Sequence, residues 1–249
     1  MKTIHDVPYD AIGNKLDIYL PENDTFDTVV FFHGGGIVSG DKADWAYTEI
    51  AKEFVQKGYA FVSVNYRLYP NAKFPDYLID ARNAVRYAFD HMGDYGHPSR
   101  MIVSGQSAGA YLTLMLALDK KWLHGVSLDP KDISAWLVDS AQITSHFNVI
   151  QFEKGLDPRM ERIDEYAPLY YLDENSAFDN MLLIYYKDDR PSRPEQNLLF
   201  HSAVKRFLPA VNLKMVCLPG EHCHGSGCRN ENGEFDYCNA AFEFLESLE

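Results

Sequence analysis

The sequence predicts an α/β fold in which a mostly parallel sheet carries helices on both faces. Two observations indicate it. Short apolar runs of strand length alternate with longer stretches of helical periodicity along the whole 249-residue chain. No linker-like, low-complexity or repeated segment interrupts that alternation. We therefore expect one domain over residues 1–249.

The first elements are expected in the order strand, strand, helix, strand. Residues 15–20 alternate polar and apolar side chains, as a half-exposed strand does. The apolar runs at 28–32 and 59–64 are typical of buried strands. Between them, residues 45–57 have helical spacing and are followed by Gly58, a common helix stop.

The middle of the chain continues the alternation. Residues 76–92 place a row of apolar side chains on one helical face. An apolar strand at 100–104 precedes a run of helix formers at 110–118, and another apolar strand is expected at 133–138. Residues 141–180 break the pattern with scattered aromatic side chains, and we expect them to form a small cap insertion over the ligand-binding end of the sheet.

Two strand–helix units complete the chain. The runs at 181–186 and 213–218 are mostly apolar and of strand length, and they predict strands. The segments 194–207 and 235–248 have the length and spacing of helices.

A pentapeptide between the strand at 100–104 and the helix at 110–118 predicts a nucleophile. It reads Gly105-Gln106-Ser107-Ala108-Gly109. A G-x-S-x-G motif between strand and helix is typical of an elbow that exposes a serine on a strained turn, where small neighbours let the two elements close. We expect Ser107 to be the nucleophile.

A second motif, His33-Gly34-Gly35-Gly36, follows the strand at 28–32. Glycines let backbone N–H groups approach a ligand oxygen, and fixed donors of this kind stabilise developing negative charge. Residues 34–40 also fit the spacing of a dinucleotide-binding loop, but no serine-centred elbow is expected after such a loop. The motif therefore favours an oxyanion hole.

A serine nucleophile needs a base and an acid, and on such folds the chain order is Ser, Asp or Glu, then His. Asp188 and Asp189 follow the strand at 181–186, and Asp139 follows the strand at 133–138. We favour Asp189 and keep the other two as alternatives.

Two histidines follow the last strand. His222 is nearer to the strand end, where the backbone is better fixed, whereas His224 precedes a glycine. We choose His222 as the base, with His224 as the alternative.

Charge and cysteine content limit the other function classes. A net charge of −13 argues against nucleic acid or anionic membranes as partners. No run of 18 apolar residues and no apolar leader is present, so we expect a cytoplasmic protein with reduced thiols. The spacing of the cysteines at 217, 223, 228 and 238 matches no standard zinc pattern, and we expect neither metal nor cofactor.

With Asn65-Tyr66-Arg67-Leu68-Tyr69-Pro70 between the two motifs, the chain resembles α/β-hydrolase esterases over residues 19–248. The nearest groups are the hormone-sensitive-lipase-like carboxylesterases and the small bacterial acetyl and feruloyl esterases. The resemblance implies a Ser-His-Asp triad and an oxyanion hole. The residues implied are Ser107, His222 and Asp189 for the triad and Gly35, Gly36 and Ala108 for the hole.

That resemblance implies a serine carboxylesterase for small-molecule esters with short or compact aromatic acyl groups. Two other functions stay open, a formamidase-type amide hydrolase and a non-catalytic ligand receptor on the same fold. Nothing in the sequence predicts the oligomeric state.

Overall fold

Eight strands form one sheet in the computed structural model, which describes residues 1–248. Their spatial order is first, second, fourth, third, then fifth to eighth. The first two strands pair antiparallel, as do the second and fourth, and all other pairs are parallel. The strands are β1 Lys2–Pro8, β2 Lys15–Leu20, β3 Thr25–Phe32, β4 Ala60–Val64, β5 His97–Gln106, β6 Ala135–Asp139, β7 Asn180–Tyr186 and β8 Asn212–Leu218.

Within residues 1–248, six helices lie in the connections between strands, as parallel pairing requires, and two follow the last strand. They are α1 Trp45–Gln56, α2 Asp76–His91, α3 Ala108–Leu118, α4 Lys121–His124, α5 Phe147–Lys154, α6 Arg193–Phe207, α7 His224–Gly227 and α8 Asp236–Glu246. Short 3₁₀ turns occur at Met92–Asp94, Pro130–Asp132 and Pro168–Tyr171.

Both faces of the sheet are buried against helices. Successive side chains of a strand point to opposite faces, so in β3 Val30 and Phe32 join one apolar core while Val29 and Phe31 join the other. The first core contains α2 and α3 and the second contains α1 and α8. Every residue of α3 is buried, which explains why this helix is apolar around its whole circumference.

The predicted fold class is confirmed, and every predicted strand and helix has a counterpart within a few residues. One strand was missed. β1 is an edge strand with no residue fully buried, so it lacks the apolar pattern that the prediction used. Besides the partly buried Ile4 and Val7, polar contacts hold this strand. The Asp6 N–H donates to the buried Asp17 carboxylate at 2.8 Å, and Lys42 Nζ lies 2.8 Å from the same carboxylate.

Residues 141–180 contain α5 and one 3₁₀ turn and otherwise lack regular structure. They pack on α3 through the Tyr111 hydroxyl, which donates to the Tyr166 carbonyl at 2.8 Å. No helix within residues 1–248 is both long enough and apolar enough to cross a membrane.

Candidate active site

Ser107 lies on a sharp turn between β5 and α3. Its φ of 54° and ψ of −110° are strained for a residue with a side chain. The turn closes only because the residues two positions before and two positions after Ser107 are glycines. A Cβ on Gly109 would lie 1.9 Å from the Phe32 carbonyl oxygen, and one on Gly105 would lie 2.3 Å from the Gly109 carbonyl carbon. The motif therefore folds as the elbow that the sequence predicted.

Ser107 is hydrogen-bonded to a histidine, and that histidine to a carboxylate. Ser107 Oγ lies 2.8 Å from His222 Nε2, and His222 Nδ1 lies 2.6 Å from Asp189 Oδ1. The Asp189 side chain is fully buried and also accepts from the Arg190 N–H at 2.6 Å. An acceptor at Nδ1 favours the tautomer with hydrogen on Nδ1, which leaves Nε2 free to accept the serine proton.

The alternative acids and the alternative base lie elsewhere. Asp188 is exposed, and Asp139 is buried with its carboxylate accepting from Ser226 Oγ. His224 is exposed with its ring next to Cys228, at 3.4 Å between Nδ1 and Sγ. Among residues 1–248, none of these three side chains hydrogen-bonds to Ser107 or His222. Asp139 is still close to the elbow, since its carbonyl accepts the Ser107 N–H at 2.8 Å, but its carboxylate is engaged with Ser226 and not with His222.

The glycine loop faces Ser107 across a cavity. Gly35 and Gly36 have φ of 105° and 66°, and a Cβ on Gly35 would lie 2.0 Å from the Ser39 carbonyl oxygen. The Gly36 carbonyl is held by Asn148 Nδ2 at 2.6 Å. Ala108 is the first residue of α3, and the first N–H groups of a helix have no partner within it.

The cavity beside Ser107 has a volume of about 410 Å³. Among the described lining residues, Arg190 alone is permanently charged, and its guanidinium lies 5.7 Å from the centre of the Phe147 ring. The described lining residues are Gly35, Gly36, Val38, Ser39, Gln106, Ser107, Phe147, Asn148, Arg190, His222 and Cys223.

The surroundings of His222 favour its neutral form. Burial lowers its pKa below 6.5, and the nearby charges of Arg193 and Arg190 lower it further. The Asp189 carboxylate opposes this shift by stabilising the imidazolium. Burial also raises the pKa of the Cys223 thiol, so this cysteine is a protonated, inert wall of the cavity.

The cysteines and neighbouring histidines are not arranged around a common point. All four cysteines are unbridged. Within the described residues, no group of three or more His, Cys, Asp and Glu side chains has the geometry of a metal site.

Several side chains around the cavity were not singled out from the sequence. Phe147 and Asn148 come from α5, and Arg190 directly follows Asp189. Tyr47 and Ser226 lie below the elbow in contact with Gln106. Arg190 had a sequence signal in its position in the loop of the favoured acid, and Phe147 is one of the aromatic residues of the expected cap. The others depend on how distant segments pack.

Comparison with known proteins agrees with this architecture. The BD-FAE family model matches residues 16–154, which include the glycine loop and the elbow. Kynurenine formamidase of Danio rerio is 34% identical over 142 residues, covering 55% of this chain and 45% of that protein. Isoprenylcysteine alpha-carbonyl methylesterase ICME of Arabidopsis thaliana is 29% identical over 145 residues, covering 56% and 32%. The match thus spans less than half the length of these relatives.

The whole chain superposes on a truncated carbohydrate esterase from gut microbiota, with a TM-score of 0.81, 17% identity and coverage of 100% of this chain and 96% of the other. At that identity the likeness shows the fold. The family model spans more than half of the chain, including the elbow at Ser107. This α/β-hydrolase chain therefore belongs to the BD-FAE family.

Proposed function

We propose that the chain is a serine carboxylesterase that uses a Ser107-His222-Asp189 triad. The observation that carries the proposal is the continuous hydrogen-bonded path from Ser107 Oγ through the His222 ring to Asp189, at 2.8 and 2.6 Å. The methylesterase relative supports ester hydrolysis as the reaction class. Labelling of Ser107 by a fluorophosphonate, together with hydrolysis of p-nitrophenyl acetate, tests it, since a non-catalytic receptor would do neither.

The mechanism follows from which group can hold the proton and the charge. His222 Nε2 takes the Ser107 proton as Oγ attacks the ester carbonyl, and Asp189 stabilises the imidazolium that forms. The N–H groups of Gly35, Gly36 and Ala108 donate hydrogen bonds to the oxyanion. His222 then donates its proton to the leaving alcohol, and water hydrolyses the acyl-enzyme by the same path in reverse order.

The segment 141–180 acts as a small cap in this proposal. Phe147 and Asn148 of α5 form one wall of the cavity, and Asn148 ties the cap to the glycine loop through the Gly36 carbonyl. A volume of about 410 Å³ is near the low end for small-molecule sites. Short or compact aromatic acyl groups therefore fit best.

Acyl chain length should affect the rate strongly. We expect kcat/KM for p-nitrophenyl dodecanoate to be at least about tenfold below that for the acetate, because a long chain must leave the cavity and stay in water. A Phe147→Ala variant should reduce the difference in kcat/KM between the hexanoate and the acetate. The substitution removes a ring from the cavity wall and so makes room for the longer acyl chain. Faster hydrolysis of dodecanoate than of acetate would refute the small-substrate proposal.

The rate should rise with pH as His222 loses its proton. Only neutral His222 accepts the serine proton, so activity is lost as the pH falls through its pKa, which lies below 6.5. An Arg190→Gln variant should shift the midpoint of the pH profile of kcat/KM to higher pH. The substitution removes a positive charge that disfavours the His222 imidazolium. Arg190→Lys keeps the charge and is the matched control. A midpoint above about 7 in the parent protein would contradict this prediction.

Amide hydrolysis is a second candidate function, favoured by the formamidase relative at 34% identity. His222, oriented by Asp189, can also donate its proton to an amine leaving group. Comparing kcat/KM for an N-formyl anilide with that for the matching phenyl formate ester decides between the two. A higher value for the anilide would make the chain a formamidase.

A further inference from the structure

A continuous chain of buried hydrogen bonds runs beneath Ser107. The Gly34 N–H donates to Tyr47 Oη at 3.0 Å, and the Tyr47 hydroxyl donates to Gln106 Oε1 at 2.6 Å. Gln106 Nε2 donates to Ser226 Oγ at 2.6 Å, and the Ser226 hydroxyl donates to the Asp139 carboxylate. The chain links five segments, namely the glycine loop, α1, the end of β5, the end of β6 and α7.

While Asp139 is ionised, the two ends of the chain fix the direction of every hydrogen bond. A backbone N–H such as that of Gly34 can only donate, and an ionised carboxylate such as that of Asp139 can only accept. Each hydroxyl between them accepts one hydrogen bond and donates one. The Gln106 amide therefore has a single orientation, with its oxygen toward Tyr47 and its nitrogen toward Ser226.

The chain touches the segments that carry the proposed nucleophile, base and oxyanion donors. Gly34 directly precedes the donors of the glycine loop, and Gln106 directly precedes Ser107. Ser226 lies in α7, the helical turn that follows His222. Asp139 ends β6, and its carbonyl accepts the Ser107 N–H at 2.8 Å.

The residues of the chain are closely packed and buried. A Cβ on Gly34 would lie 2.7 Å from Gln106 Oε1 and 3.2 Å from Tyr47 Oη. The side chains of Tyr47, Gln106, Ser226 and Asp139 are all buried. Removing one partner therefore leaves a buried polar group unsatisfied, which is costly.

We propose that this chain sets the position of the oxyanion loop relative to Ser107 and His222, with Gln106 as the central positioning residue. The inference rests on the proposed serine-hydrolase function. It assigns Asp139 a role as the terminal acceptor of the chain, distinct from that of a triad acid. Loop donors that are displaced stabilise the transition state less but leave ground-state binding unchanged, so kcat should fall while KM stays constant.

The test compares three single variants and one double variant. Burial raises the pKa of Asp139 to about 7, so assays at about pH 8.5 keep its carboxylate ionised. Tyr47→Phe and Ser226→Ala should each lower kcat for p-nitrophenyl acetate about tenfold to a hundredfold, with KM changed less than about threefold. Inhibition by a boronic acid, which mimics the tetrahedral state, should weaken in parallel with kcat/KM.

Tyr237→Phe is the matched control. It removes a buried tyrosine hydroxyl that lies 2.6 Å from Ser104 Oγ, outside the chain. We expect it to lower the thermal unfolding temperature about as much as Tyr47→Phe but to keep kcat. Equal losses of kcat in both variants would mean general destabilisation and would overturn the proposal.

The double variant Tyr47→Phe/Ser226→Ala separates a coupled chain from two local effects. If the chain acts as a unit, the double variant should be about as slow as the slower single variant. Losses that multiply would overturn the coupling. Failure of the parent protein to hydrolyse the ester or to react with a fluorophosphonate would instead overturn the underlying function. An active parent whose single variants keep kcat within about twofold would refute only the positioning role.

Discussion

Ser107→Ala should lower kcat for p-nitrophenyl acetate by about 10⁶-fold, as expected for a nucleophile that acts with its base as one unit. The Oγ atom makes the bond to the acyl carbon, and no other hydroxyl contacts His222 among the described residues. Steady-state kinetics and fluorophosphonate labelling measure the loss.

The variant should keep its fold. The alanine side chain leaves out only one oxygen, whose hydrogen-bond partner is the half-buried His222. Ser202→Ala, which alters an exposed serine of α6, is the matched control and should retain full activity. Retention of more than about a hundredth of the parent rate by Ser107→Ala would remove Ser107 from the mechanism.

His222→Ala should lower kcat nearly as much as the loss of Ser107, because the nucleophile and its base fail together. His224→Ala should cost about tenfold or less, corresponding to about 1.4 kcal/mol of barrier. The reason is geometric, since His222 contacts both Ser107 and Asp189, whereas the exposed His224 ring lies against Cys228. Kinetics of the two variants at one pH provide the comparison.

The pair of variants also tests the histidine loop as a structural unit. Thermal unfolding should show both variants folded. A large loss of kcat in His224→Ala, with little loss of kcat in His222→Ala, would identify His224 as the base. Loss of folding in both would indicate that the loop has a structural role.

The fold was predictable because its signals are local. Strands β3 to β8 are apolar runs, and the helices between them carry periodic apolar residues, so each element is recognisable within its own segment. The exception, β1, pairs at the sheet edge through backbone hydrogen bonds and is held by Asp17 and Lys42. Its stability depends on partners outside the segment, and no pattern within it could indicate them.

The candidate site also has one part that local sequence predicts and another part that depends on distant segments. The sequence by itself determined the elbow and the glycine loop, because a strained serine and closely approaching N–H groups require glycine at fixed positions nearby. Only the tertiary structure decided which of Asp139, Asp188 and Asp189 reaches His222, and which histidine reaches Ser107. Neighbouring loop residues differ by only one or two positions in the chain, yet their side chains point in different directions, and packing between distant segments selects among them.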